Sequence, residues 1–201
     1  MITAAKLQES LTYLEYIELT KSIINNVSPS APYDNEKMLK YTEANLERMQ
    51  RVSNNISIDQ KLYNLLTSVT DRWIWVIITE PWCGDAAQIV PALCAFAEVN
   101  SNIETKLILR DTNLDLIDAY LTEGGRSIPK LICLHQDTMV EIGTWGPRPQ
   151  EIQVMVDKFK SETTTSFGQK VRQIHQWYDD NKSAALQEEF IALLQDWKAK
   201  N

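Results

Sequence analysis

Trp73-Ile74-Trp75-Val76-Ile77-Ile78 is an unbroken apolar run of six residues, and Pro81 comes three residues later. Six residues rich in β-branched and aromatic side chains are too short for a buried helix. They fit a strand covered on both faces. A helical pattern resumes at about Asp85 and lasts to about Val99, so the polypeptide passes from strand to helix through Glu80-Pro81-Trp82-Cys83-Gly84. Such a turn places Cys83 where free backbone N–H groups and the positive end of a helix favour a thiolate. Trp82 offers a flat apolar contact to a partner, and Gly84 keeps the approach open.

Around that turn the pattern is strand, helix, strand, helix, then two strands and a helix. The later segments are Thr105–Leu109, Leu114–Leu121, Leu131–Leu134, Met139–Thr144 and Pro149–Lys160. That order predicts an α/β domain in which a parallel pair joins an antiparallel pair, with helices on the faces. Helical periodicity also fills both ends. Leu7, Leu11, Leu14, Ile17 and Ile24 suggest one helix over residues 3–24, and a second runs from Asn35 to Val52. Ser57 and Gln60 form a capping-box pattern before Leu62. Near the C-terminus, Val171, Ile174 and Trp177 mark one stripe, and Leu186, Phe190, Leu194 and Trp197 another. Such stripes must be buried, by default against an edge or face of the sheet; a dimer interface or a lid over Cys83 is the alternative.

The turn and the segments after it resemble the thioredoxin family. Trp82-Cys83-Gly84-Asp85-Ala86 matches that family's Trp-Cys-Gly motif except at the second cysteine. Pro91 matches the proline of its active-site helix, and Arg126-Ser127-Ile128-Pro129 matches the Arg-x-Ile-Pro ahead of its cis-proline. Gly143 and Gly146 fall where the family places a glycine near the sulfur. The resemblance covers roughly residues 57–160. It implies a thioredoxin-like fold over 57–163, with helical extensions at 1–56 and 164–201 and a cis Ile128–Pro129 bond; only about 5% of X-Pro bonds are cis.

The departures matter equally. Position 86 is alanine, so the resolving cysteine is missing. Cys94 lies 11 residues along the same helix, about 16 Å away, whereas a disulfide needs Cα atoms within about 7 Å. Ile77 stands where the family has a buried aspartate. What remains is one-thiol chemistry: Cys83 could hold a mixed disulfide with a protein or small thiol, to be released by a second external thiol. The competing reading is a redox-silent binding module that uses a cleft walled by Trp82, Pro129 and Trp145.

Several neighbours bear on that choice. Asp85 opposes a thiolate at Cys83, while Arg126 and Arg148 are the cations placed to offset it. Glu80 is either a proton acceptor or a loop anchor. Trp145-Gly146-Pro147-Arg148 reads as a strand-to-helix turn or as the far wall of the Cys83 cleft. Asp111 suits a loop cap or a partner for Arg126. Cys94 and Cys133 lie in apolar segments and suit the core.

Composition narrows the partners. The formal charge is −7, with 27 acids against 20 bases, which disfavours nucleic acid and anionic membrane surfaces. Three cysteines make no disulfide framework, and a reducing cytoplasm is the default compartment. Two histidines 40 residues apart predict no metal site. No cofactor is expected, and oligomeric state is left open.

Overall fold

The computed structural model describes residues 2–200. A four-stranded sheet runs in the order β2-β1-β3-β4, from β1 (Trp73–Thr79), β2 (Ile103–Leu109), β3 (Lys130–His135) and β4 (Glu141–Trp145). β1 pairs parallel with β2, with Trp73 opposite Ile103, and antiparallel with β3, with Trp75 opposite Cys133. β3 pairs antiparallel with β4. All seven residues of β1 are buried, which is why its sequence is apolar without alternation. The α/β class and the mixed sheet are those expected from the segment order.

Nine α-helices are seen among the described residues: α1 (Ala4–Gln8), α2 (Tyr13–Ile24), α3 (Glu36–Asn55), α4 (Gln60–Thr67), α5 (Gly84–Glu98), α6 (Leu114–Ile117), α7 (Gln150–Ser161), α8 (Phe167–Asn181) and α9 (Ala184–Ala199). None is long and apolar enough to cross a membrane.

Two sequence expectations are corrected. The helix over 3–24 is broken, because Leu11 exchanges two backbone hydrogen bonds with Leu107, each 2.8 Å. This bridge adds a single-residue partner at the outer side of β2 and forces a new start, where Thr12 and Glu15 form a capping box. The start of α4 is capped by Asp59 and not by Ser57: its carboxylate accepts from the amides of Lys61 and Leu62 at 2.8 and 3.4 Å. An aspartate directly before the first helical residue reaches those free amides itself.

The terminal helices are part of the core. Trp197 and Phe190 of α9 meet Trp73, Trp75 and Trp145 in edge-on ring contacts, with centroids 5.5–6.5 Å apart. Gly143 makes this possible, since a Cβ there would run into the Trp197 indole. At the other end α2 packs on β2 and α3, and α3 runs along α5. Tyr16 of α2 is fully buried, its hydroxyl 3.2 Å from that of Thr79.

Candidate functional site: the Cys83 turn and its helical cover

Burial of β1 fixes where the chain emerges, and Pro81 prevents the strand from continuing. A turn comes next, in which the Cys83 amide donates to the Glu80 carbonyl at 3.0 Å. Cys83 then sits at the N-cap of α5 in extended conformation. Its sulfur lies against the amides of Asp85 and Ala86 and donates to the Ile128 carbonyl at 3.4 Å. Ile128 and Pro129 are both buried, and the bond between them is cis.

Cys83 is 7% exposed. Burial, with the Asp85 carboxylate second, pushes its thiol up to about 12, against the pull of the two amides and of Arg148. This reverses the expectation drawn from the helix start: desolvation of the thiolate outweighs the helix end when no water reaches the sulfur. Cys83 therefore rests as a neutral thiol.

What shuts the turn is α8. The Tyr178 hydroxyl donates to Asp85 at 2.8 Å, and Arg148 pairs with the other Asp85 oxygen at 2.7 Å. The His175 ring sits over Gly84 so closely that a Cβ at Gly84 would stand 3.0 Å from its Cε1. From the other side, Asn45 of α3 is fully buried and donates to the Pro81 carbonyl at 2.9 Å. Of the two C-terminal helices, α8 covers the turn and α9 packs on the sheet.

The remaining candidates separate into two groups. Trp82, Gly84, Asp85, Arg148, Ile128 and Pro129 gather round Cys83. Glu80 is buried and anchors the loop after β2, accepting from the Asp111 amide at 2.8 Å and the Tyr33 hydroxyl at 3.3 Å. Burial raises its carboxyl to about 7. Trp82 is clamped, donating to Asp111 at 3.1 Å with the Arg110 guanidinium 4.7 Å over its ring.

Arg126 does not reach the site. It is exposed and forks onto Asp118 at 2.6 and 2.8 Å, so Arg148 alone offsets Asp85. Nor does Asp111 take Arg126; it pairs with Arg110 at 2.6 Å. Trp145 is turned inward onto Phe190, with its indole donating to Glu189 at 2.6 Å, and it forms no wall with Trp82. Gly146, at φ +117°, lies against the Pro129 carbonyl, where a side chain has no room. Cys94 and Cys133 are buried core thiols.

Asn45, His175 and Tyr178 were missed from sequence. A faint signal existed: each is a polar or amphipathic residue on or beside the apolar stripe of its helix.

No curated protein matches the chain. Among solved structures, a protein of unknown function from Pseudomonas aeruginosa superposes with a TM-score of 0.64 at 16% identity, covering 97% of this chain and 98% of that one. An HIV epitope-scaffold superposes at 0.54 and 17% identity, over 92% and 98%. A thioredoxin family model matches residues 31–160, and so takes in α3 as well as the sheet and α7. With more than half of its length matched, the chain belongs to the thioredoxin family.

Proposed function

We propose that this chain is a single-thiol member of its family, forming a mixed disulfide between Cys83 and an external partner thiol. The observation that carries the reading is the seat of the sulfur at the start of α5. The Asp85 and Ala86 amides face it there, ready to stabilise negative charge once water is admitted. In the first step the Cys83 thiolate, its proton lost to solvent, attacks one sulfur of a partner disulfide. A new S–S bond forms, and the second partner sulfur leaves as thiolate. A second external thiol then attacks the mixed disulfide and restores Cys83. Cys94 and Cys133 take no part, being buried in the core.

The closed state must open first, because Tyr178 and His175 sit over the turn. Trapping in cell extract with the intact chain tests the reading. Partners should be retained through reducible bonds by the native chain and lost with Cys83→Ser. If Cys83→Ser retains the same partners, the exchange reading is overturned.

One observation favours a second reading. A thiol 7% exposed and pushed up to about 12 is that of a structural cysteine. On this reading the chain is a redox-silent binding module, and capture is independent of Cys83.

A further inference from the structure

Beside the Cys83 turn, between α3, α7 and α8, lies a groove of about 410 Å³, within the range that small organic ligands occupy. Tyr41, Phe159, Phe167 and Ile174 give it an apolar lining. Phe167, 68% exposed, is an aromatic left largely in water at its mouth. Four cations, Arg48, Arg148, Lys160 and Lys170, stand around these side chains. Asp85 is the single carboxylate among the lining residues, and it is already taken by Arg148 and Tyr178. In a chain of net charge −7, this is a local reversal of sign.

The cations differ in how they are satisfied. Lys160 pairs with Asp157 at 2.7 Å, and Lys170 donates to the carbonyls of Phe159 and Glu162. Arg48 donates to Asn45 Oδ1 at 2.8 Å and, among the described residues, has no carboxylate at ion-pair distance. On two of the lining residues a further nitrogen, Arg148 Nε and His175 Nδ1, is buried with no hydrogen-bond partner among the described residues. Buried polar atoms are seldom left so, because each forgoes the bond it made to water. A guanidinium without a carboxylate, beside a row of aromatics, is a donor fork open to acceptor oxygens on an apolar body.

We propose that the groove between α3, α7 and α8 binds a small organic anion, its acid group on Arg48 and its aromatic or aliphatic body along Phe159 and Phe167. The site is built from segments on either side of the sheet region, and it needs no chemistry at Cys83.

The experiment is a fluorescence titration of the intact chain with 1-anilinonaphthalene-8-sulfonate, set against uncharged N-phenyl-1-naphthylamine. The sulfonate should bind one per chain and about 10-fold more tightly than the neutral probe. Raising the salt to 1 M should remove most of that difference, since exposed ionic contacts are screened. Arg48→Met should weaken the sulfonate about 10-fold and leave the neutral probe unchanged, with Arg48→Lys restoring part of the loss. Phe167→Ala should weaken both probes.

Equal affinity for the two probes, no salt dependence, or no saturable binding would overturn the site. So would Arg48→Met or Phe167→Ala without effect in a chain that keeps its near-ultraviolet circular dichroism. If Arg48→Met does not fold, the salt and neutral-probe comparisons on the unaltered chain decide alone. Because only binding is read, a failure of thiol exchange at Cys83 leaves the result intact.

Discussion

Tyr178 on α8 donates its hydroxyl to Asp85, two residues past Cys83, over 2.8 Å. Through this bond a helix 93 residues further along the chain holds the start of α5 shut. Tyr178→Phe removes the bond and keeps the ring. A lost hydrogen bond to a charged group costs about 2 kcal/mol, so the melting temperature should fall and Cys83 should react with iodoacetamide several-fold faster. An unchanged rate would show that α8 does not limit access to the sulfur.

Asp85→Asn keeps the shape of the side chain and removes the charge that ranks second, after burial, in raising the Cys83 thiol. Arg148 then faces the sulfur with its charge uncompensated. Thiolate absorbance and alkylation rate should both rise at lower pH in the variant than in the native chain. The native thiol, raised above its unfolded value near 8.5, contributes stability that is complete below that value. The contribution is lost as pH climbs towards 12. Alkaline denaturation should accordingly begin earlier with Cys83 present than with Cys83→Ala.

Glu80 gives the same sign at physiological pH. Its carboxyl is raised to about 7 by burial, so its contribution is full below the unfolded value near 4.5 and is lost as pH rises through 7. Full ionisation costs roughly 3 kcal/mol by linkage. Glu80→Gln retains an acceptor for the Asp111 amide and carries no charge. Urea midpoints should therefore drop between pH 5 and 8 in the native chain and stay level in the variant. Parallel curves for the two proteins would refute the assignment.

Gly143→Ala tests the seat of α9. The added methyl meets the Trp197 indole, and overpacking of this kind costs typically 1–3 kcal/mol. A thermal melt should show the loss, and Trp197→Phe in the same chain should recover part of it by vacating the contact. If Gly143→Ala melts as the native chain does, Trp197 is not wedged against β4.

How legible each feature is in the sequence depends on how local its signal is. β1 announced itself, since a strand buried on both faces has no choice but to be apolar, and Pro81 marked its end. The position of Cys83 at a helix start was equally plain from Trp82-Cys83-Gly84 and the helical period beyond. The state of its thiol was not. That depends on how much water reaches the sulfur, and so on Tyr178 and His175, whose stripe on α8 says that a face is buried without saying against what. Arg126 was misplaced for a related reason: proximity in sequence to Pro129 does not decide whether a long side chain turns to Cys83 or to Asp118. The Leu11–Leu107 bridge likewise depends on a distant backbone edge that no local pattern records.

The placement of Trp197 and Phe190 on β1 carries a consequence for how the chain comes into being. Synthesis runs from the N-terminus, so Trp73, Trp75 and Cys83 leave the ribosome long before α8 and α9 exist to cover them. Until those helices are made, the aromatic side chains of β1 and the Cys83 turn lack the cover that α9 and α8 respectively give them. The closed turn at Cys83 therefore forms only once α8 has been made and has docked over it.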